Sequence, residues 1–258
     1  MRAIDGFREE YKDFPSVFDE ERADRLFSAV NLLGAQLKVE VAGIDQLPKG
    51  RGLIVANHAF GWDVLFAMAA VWRDLRRPLW VLGEHLWWKV PFLRWLAASA
   101  GTVDGTPDNV DRLLQRDELV LVLPGGLREA VKPRELRYQF LWGQRYGFIR
   151  AALRNQAPVV PLASIGTDEL FDFVGDAYSR GSRWLRRGGI PIPLPARILP
   201  IPRLVRMRFV FGEPIAPRGE AASVHEFPLV RAMRREVEGA LHELIELELA
   251  RRLGVDLG

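Results

Sequence analysis

Short runs of uninterrupted apolar residues limit the fold of this chain more than any other feature. Residues 53–56 and 119–123 are the clearest runs, and residues 79–82 are similar. Each run is too short for a helix and lacks the alternation of a strand with one face in solvent, so each predicts a strand buried on both faces. Segments with helical spacing of apolar residues lie between them. This order predicts an α/β fold, with a mostly parallel sheet flanked by helices.

The rest of the chain is divided around this sheet. We expect a helical N-terminal arm over residues 1–37, a core over residues 38–216 with an edge strand at 38–42, and a helical C-terminal region over residues 217–258. The last region contains a long amphipathic pattern that begins near Phe227. The 258 residues show no break in composition, which predicts a single domain.

Three local expectations concern turns and strand ends. Residues 101–108 are rich in turn-forming residues and precede a predicted helix, with Asp108 as its N-cap. Pro161 is expected at the end of a strand rather than at its centre. Residues 206–211 alternate in polarity and predict a late strand.

His58 and Asp63 lie where the first apolar run ends. On a regular helix, positions five apart point roughly 140° away from each other, so the two side chains could not meet there. With His58 in a strand-to-helix turn and Asp63 in the first helical turn, the carboxylate can reach the ring. Such an aspartate fixes the imidazole tautomer, and the second ring nitrogen is left to accept a proton from a hydroxyl. The alternative is a turn histidine beside a residue that only starts a helix.

A glycine pair follows the run at 119–123. Gly125 and Gly126 let the backbone approach a ligand and can present amide donors to it, and Arg128 and Glu129 add a cation and an acid. We expect these residues at the same edge of the sheet as His58, since ligands bind outside the carboxyl ends of parallel strands. A tight turn with two solvated charges is the alternative.

Composition excludes several classes of site. The chain has no cysteine, so it forms no disulfide and no thiolate metal site. Its four histidines are scattered, and none has a second histidine three or four residues away, so no metal site is predicted. The N-terminal residues contain no apolar h-region of a signal peptide, and no apolar stretch is long enough for a spanning helix.

Basic and aromatic residues are unevenly distributed. Between residues 177 and 211 no Asp or Glu occurs, and the basic residues there are Arg180, Arg183, Arg186, Arg187, Arg197, Arg203, Arg206 and Arg208. The same segment contains a proline-rich apolar stretch, and we expect residues 177–208 to face a lipid surface with anionic headgroups. Trp87, Trp88 and Trp95 fit either that surface or the core. No nucleic-acid-binding motif accompanies the arginines.

Four ordered blocks resemble those of the glycerolipid and lysophospholipid acyltransferase superfamily. They are Asn57-His58 with Asp63, the block from Pro124 to Glu129, Ala157-Pro-Val-Val-Pro161, and Phe211-Gly-Glu-Pro-Ile215. The resemblance implies a mostly parallel sheet on a membrane surface, with His58 as general base and Asp63 as its orienting partner.

The resemblance also implies a substrate set. Asn57, Gly125, Gly126, Arg128 and Glu129 are expected to contact substrate. The expected acyl donor is acyl-CoA or a thioester of acyl carrier protein, and no cofactor is expected. The protein is expected to be cytoplasmic and peripheral on a membrane, and the sequence leaves its oligomeric state open.

Two departures from the superfamily pattern concern the acceptor. Enzymes that acylate phosphorylated glycerols usually have Pro-Glu-Gly where this chain has Pro124-Gly125-Gly126, and an arginine where it has Gly105. The chain thus resembles the diacylglycerol-acyltransferase-like branch, and a neutral hydroxyl acceptor is favoured over a lysophospholipid or glycerol phosphate. A lipid hydrolase and a non-catalytic lipid-binding protein are the alternatives, although Ser164 lies in a segment that fails the G-x-S-x-G pattern.

Overall fold

The computed structural model describes residues 18–59, 62–83, 101–171, 203 and 205–254. Elements are numbered within these residues. The helices are α1 (Glu20–Gln36), α2 (Trp62–Leu75), α3 (Pro107–Gln115), α4 (Gly126–Ala130), α5 (Gly147–Asn155) and α6 (Phe227–Arg252). The strands are β1 (Glu40–Ala42), β2 (Gly52–Ala56), β3 (Leu79–Gly83), β4 (Thr102–Asp104), β5 (Leu119–Val122), β6 (Val159–Ile165) and β7 (Arg208–Phe211).

The strands form one seven-stranded sheet in the order β1-β7-β6-β2-β5-β3-β4. Every neighbouring pair is parallel except β6 and β7. The predicted α/β fold with a mostly parallel sheet is therefore confirmed, as are the helix α1 of the N-terminal arm and the long C-terminal helix α6.

Both faces of the sheet are buried, which explains the uninterrupted apolar runs. Leu53 and Val55 of β2 pack with α3, α5 and α6, whereas Ile54 and Ala56 of the same strand pack with α1 and α2. Leu53, Ile54 and Val55 are each fully buried. Alternate side chains of one strand thus serve two hydrophobic layers.

Two local predictions around α3 and β4 are wrong. Thr106, not Asp108, caps α3, because its hydroxyl accepts from the amide of Asn109 at 3.3 Å and Pro107 takes the first helical position. The expected turn segment also contains strand β4, which pairs with β3 at the edge of the sheet. Three residues are too few to show a strand period in the sequence.

Pro161 lies inside β6, so its predicted position at a strand end is also wrong. It pairs with Val55 of β2 on one side. On the other side the ladder to β7 stops at Leu162 opposite Phe211, and the carbonyl of Pro161 accepts from the amide of Gly212 at 2.8 Å. The missing proline N–H is tolerated because the paired part of β7 ends there.

Several predicted surface features lie outside the described residues. These are residues 1–17 of the N-terminal arm, Trp87, Trp88 and Trp95, and most of the basic segment at residues 177–208. Within the described residues, no helix combines the length and the apolar character that crossing a membrane requires.

Candidate active site

The carboxyl ends of three central strands meet at one edge of the sheet. β2 leads into His58, β5 leads into Pro124 and the glycine pair, and β6 leads into Gly166 and Asp168. Strands β2, β5 and β6 are neighbours in the sheet, so the chain after each one converges on the same place. Parallel α/β sheets bind their ligands at this edge.

His58 and Asp63 are in direct contact, as their spacing predicts. Nδ1 of His58 lies 2.8 Å from Oδ2 of Asp63, and 13% of the His58 side chain is exposed against 1% of Asp63. Because a carboxylate only accepts hydrogen bonds, the ring proton is on Nδ1 when the histidine is neutral. Nε2 is then the acceptor that the ring can offer to a ligand.

Asp63 is held at the start of α2 by backbone amides. Its Oδ2 atom also accepts from the amide of Ala59 at 2.8 Å, and its Oδ1 atom accepts from the amide of Val64 at 2.9 Å. These bonds fix the carboxylate and close the turn that carries His58. The turn lets the two side chains meet although they are five residues apart.

The surroundings of His58 favour its protonated form. Burial of the ring lowers its pKa, but the charge of Asp63, the hydrogen bond to Asp63 and the charge of Glu129 outweigh burial. Lys132 opposes them, and the net effect is a raised pKa. A raised pKa makes the neutral imidazole a stronger base.

The carboxylate of Glu129, which was expected to contact substrate, is buried and bound by backbone amides of the protein. The residue is 0% exposed. Its two carboxylate oxygens accept from the amides of His58 at 2.8 Å and of Leu141 at 2.7 Å. Burial raises the pKa of Glu129, while Lys132 and the two amides favour the ionised form.

The same carboxylate explains why residue 125 is a glycine. A methyl group built on its α carbon would overlap the side chain of Glu129. The glycine is therefore needed for close packing against Glu129. Its φ of −72° is open to any residue, so backbone freedom is not the reason.

The side chain of Asn57, which was also expected to contact substrate, is bound by the protein itself. It is 0% exposed, and its side chain donates to the carbonyl of Ser164 at 3.0 Å and accepts from the amide of Ser164 at 2.8 Å. These two bonds join the ends of β2 and β6. Ser164 is itself fully buried, which makes it unsuitable as a hydrolytic nucleophile.

Arg128 and Gly126 are the other two residues near the site that were expected to contact substrate. Arg128 is exposed on α4, next to the buried Glu129. The amide of Gly126 donates to the carbonyl of Leu123 at 3.0 Å, so this amide already serves the turn. Gly105 follows β4 at the same edge and is exposed.

Two site residues were missed by sequence reasoning. Lys132 donates to the carbonyl of His58 at 3.0 Å and forms an ion pair with Asp168 at 2.8 Å, and the two side chains are 2% and 3% exposed. The other oxygen of Asp168 accepts from the amide of Tyr138 at 2.7 Å. The only sequence signal for Lys132 was that it lies three residues after Glu129. The only signal for Asp168 was that it follows a central strand.

The sequence of this chain is similar to that of several known proteins. The family model described as Acyltransferase matches residues 38–165. An uncharacterized protein of Mycobacterium tuberculosis is 32% identical over 230 residues, which cover 84% of this chain and 62% of that protein. The mouse "DGAT1/2-independent enzyme synthesizing storage lipids" is 28% identical over 166 residues, which cover 60% of this chain and 50% of that enzyme. The chain thus spans less than two thirds of either relative.

A solved structure shows the same fold. The crystal structure of the 1-acyl-sn-glycerophosphate (LPA) acyltransferase PlsC from Thermotoga maritima matches with a TM-score of 0.57. The match covers 91% of this chain and 85% of that protein, at 18% sequence identity. At this identity the likeness concerns the fold.

Proposed function

The chain belongs to the acyltransferase family through residues 38–165, and on that premise we propose that it moves a fatty acyl group from an acyl thioester to a lipid hydroxyl. The observation that carries the proposal is the pair of His58 and Asp63, 2.8 Å apart at the carboxyl edge of the sheet. One ring nitrogen is fixed by a buried carboxylate. The other can take a proton from an acceptor.

The reaction needs one base and no covalent enzyme intermediate. The acceptor hydroxyl loses its proton to Nε2 of His58 as its oxygen attacks the thioester carbonyl carbon. The tetrahedral intermediate then breaks its C–S bond, and the protonated His58 returns the proton to the leaving sulfur. The products are an ester and a free thiol. Asp63 stabilises the imidazolium that exists between the two transfers.

Stabilisation of the oxyanion is assigned to the amide of Gly125. Developing negative charge on the thioester oxygen needs a hydrogen-bond donor at the site. The amide of Gly126 already donates to the carbonyl of Leu123, so it is not assigned to the oxyanion. Gly125 follows Leu123 and Pro124 after the end of β5, and it lies at the same edge of the sheet as His58.

A neutral lipid is the proposed acceptor. Two features support it: Gly105 offers no cation at its exposed position, and the space beside Gly125 is filled by a carboxylate that is already bound. The similarity to enzymes named for storage-lipid synthesis points the same way. Exposed Arg128 supports the second candidate, a lysophospholipid or glycerol phosphate acyltransferase, because guanidinium groups bind phosphate well.

Membrane attachment and the donor complete the proposal. The arginine-rich segment at residues 177–208 would hold the protein peripherally on anionic lipid, and the donor would be acyl-CoA or acylated carrier protein. Each has an acyl thioester, the group that the reaction requires. The proposed place is the cytoplasmic face of the membrane.

The test is ester formation by the purified protein with labelled acyl-CoA or acyl carrier protein. The acceptors are diacylglycerol, monoacylglycerol, a long-chain alcohol, lysophosphatidic acid and glycerol 3-phosphate. We expect faster turnover with a neutral acceptor. Preference for a phosphorylated acceptor would favour the second candidate, and release of free fatty acid without ester would indicate a hydrolase.

A further inference from the structure

The backbone of His58 is held on both sides by buried charged side chains. Its amide donates to Oε1 of Glu129 at 2.8 Å, and its carbonyl accepts from Nζ of Lys132 at 3.0 Å. Glu129 and Lys132 are three residues apart, at the end of α4 and just after it. One short segment therefore binds both the backbone amide and the carbonyl of His58, which lies 71 positions from Glu129 and 74 from Lys132 in the chain.

Charged side chains bind the amide and the carbonyl of His58, although neutral side chains could also form these two hydrogen bonds. Burial of each ion is costly unless pairing and hydrogen bonds compensate for its lost hydration. Here the remaining partners are fixed as well: Leu141 occupies the second oxygen of Glu129, and Asp168 pairs with Lys132. Asp168 is in turn bound by the amide of Tyr138. The charges are therefore held rigidly in place next to His58.

We propose that Glu129 and Lys132 are positioning residues, which fix the His58 backbone and set the charge around its ring for proton transfer. The kinetic part of this inference rests on the proposed acyltransferase function. Neither residue touches the reacting atoms. Each acts on His58 through a hydrogen bond to its main chain and through its charge.

The two charges act on His58 in opposite directions. Among the residues that the structure describes, the charged groups that act on the ring are Asp63, Glu129 and Lys132, and Asp168 pairs with Lys132. The Glu129 carboxylate favours the imidazolium, and the Lys132 ammonium disfavours it. Loss of Glu129 charge must therefore lower the pKa of His58, whereas loss of Lys132 charge must raise it. A purely structural role predicts no such opposition.

The experiment measures the His58 pKa directly by NMR titration of protein labelled at the histidine rings. The chain has four histidines, and the His58 signal is identified by its absence in His58→Asn. Glu129→Gln keeps the size and removes the charge, and Lys132→Met keeps the length and removes the charge. We expect a lower His58 pKa in the first variant and a higher one in the second.

A second variant keeps the test possible if Lys132→Met does not fold. Lys132→Met leaves Asp168 buried without its cation, so Lys132→Met/Asp168→Asn removes both charges. Lys132 is among the groups that shift the pKa of His58 and Asp168 is not, so the double variant is also expected to raise this pKa. The control is Arg154→Met, which breaks an ion pair with Asp111 beside the start of β6, at the opposite edge of the sheet. It should leave the pKa of His58 unchanged.

Turnover gives the second readout. Loss of positioning should reduce kcat about 10- to 100-fold in both charge variants with little change in KM, because misplacement of a catalytic group affects the reacting geometry. Shifts in the same direction, or unchanged pKa and kcat in folded variants, would overturn the inference. Opposite pKa shifts in a protein that transfers no acyl group would uphold the positioning role and reject the proposed function.

Discussion

Asp63 controls the proton affinity of His58, and this gives a pH prediction at the scale of single residues. The base works in its neutral form, so the rate rises with pH through the pKa of His58, which lies above its usual value of 6.5. Asp63→Asn removes the largest raising influence and leaves burial, which lowers the pKa. We therefore expect the acidic limb of kcat/KM against pH to move to lower pH.

The same variant should also lose rate on its plateau by at least about tenfold, because a neutral amide does not stabilise the imidazolium. The pH profile of wild type and Asp63→Asn, measured with one acceptor, separates the two effects. An acidic limb that stays in place or moves to higher pH would contradict this view of Asp63.

Gly125 is predicted to reject even a methyl group. Gly125→Ala would overlap the side chain of Glu129, and overpacking of this kind typically costs about 1–3 kcal/mol of unfolding free energy. The matched control is Gly239→Ala in α6, where an added methyl group meets nothing within 4 Å. That change should stabilise by roughly 0.5–1 kcal/mol, since alanine is a better helix former.

Denaturant unfolding of both alanine variants checks this pair of expectations. Equal stability of Gly125→Ala and wild type would mean that Glu129 can move away at no cost. Glu129 would then not be rigidly held beside His58.

Sequence alone identified the pair at the centre of the site but not its support. His58 and Asp63 were predictable because both lie in one local turn, where spacing decides whether side chains meet. Glu129 and Asn57 were assigned to substrate because their real partners, His58 and Ser164, are 71 and 107 residues away. Pairing at that distance depends on the order of strands in the sheet, which no local pattern reveals.

At the scale of elements, the N-terminus of α3 offers a direct comparison. Thr106→Ala removes the hydroxyl that accepts from Asn109 and should cost about 1 kcal/mol of unfolding free energy. Asp108→Ala removes only an exposed charge in the first turn and should cost at most about 0.5 kcal/mol. A larger loss for Asp108→Ala in denaturant unfolding would restore Asp108 as the cap.

Buried strands were the most predictable elements, and short or irregular ones the least. β2, β3 and β5 were recognised because burial on both faces requires continuous apolar residues. β4 was missed because three residues at an edge carry no period, and Pro161 was misplaced because its neighbour strand ends beside it. Both errors come from pairing partners, which lie elsewhere in the chain.

For the whole molecule, the proposed membrane attachment predicts salt-dependent binding to vesicles. Each basic residue near an anionic surface contributes roughly 1 kcal/mol, and salt screens that attraction. Replacement of Arg180, Arg183, Arg186 and Arg187 by Gln should therefore weaken co-sedimentation with anionic vesicles strongly at low salt. Binding that remains through the apolar stretch should depend much less on ionic strength.

The control for this variant carries the same change in charge. Replacement of exposed Arg22, Arg25, Arg231 and Arg235 by Gln also lowers the formal net charge from +3 to −1, that is +3 − 4. This control should bind vesicles almost as well as wild type. Wild-type protein that stays in the supernatant with anionic vesicles at low salt would give the segment another role, such as docking an acidic carrier protein.

The most direct test of the whole account compares ester formation by wild type and His58→Ala with the same donor and acceptor. If His58 removes the acceptor proton, the variant should lose at least about 100-fold in turnover while circular dichroism shows an unchanged fold. A folded His58→Ala protein that forms ester at the wild-type rate would contradict the mechanism.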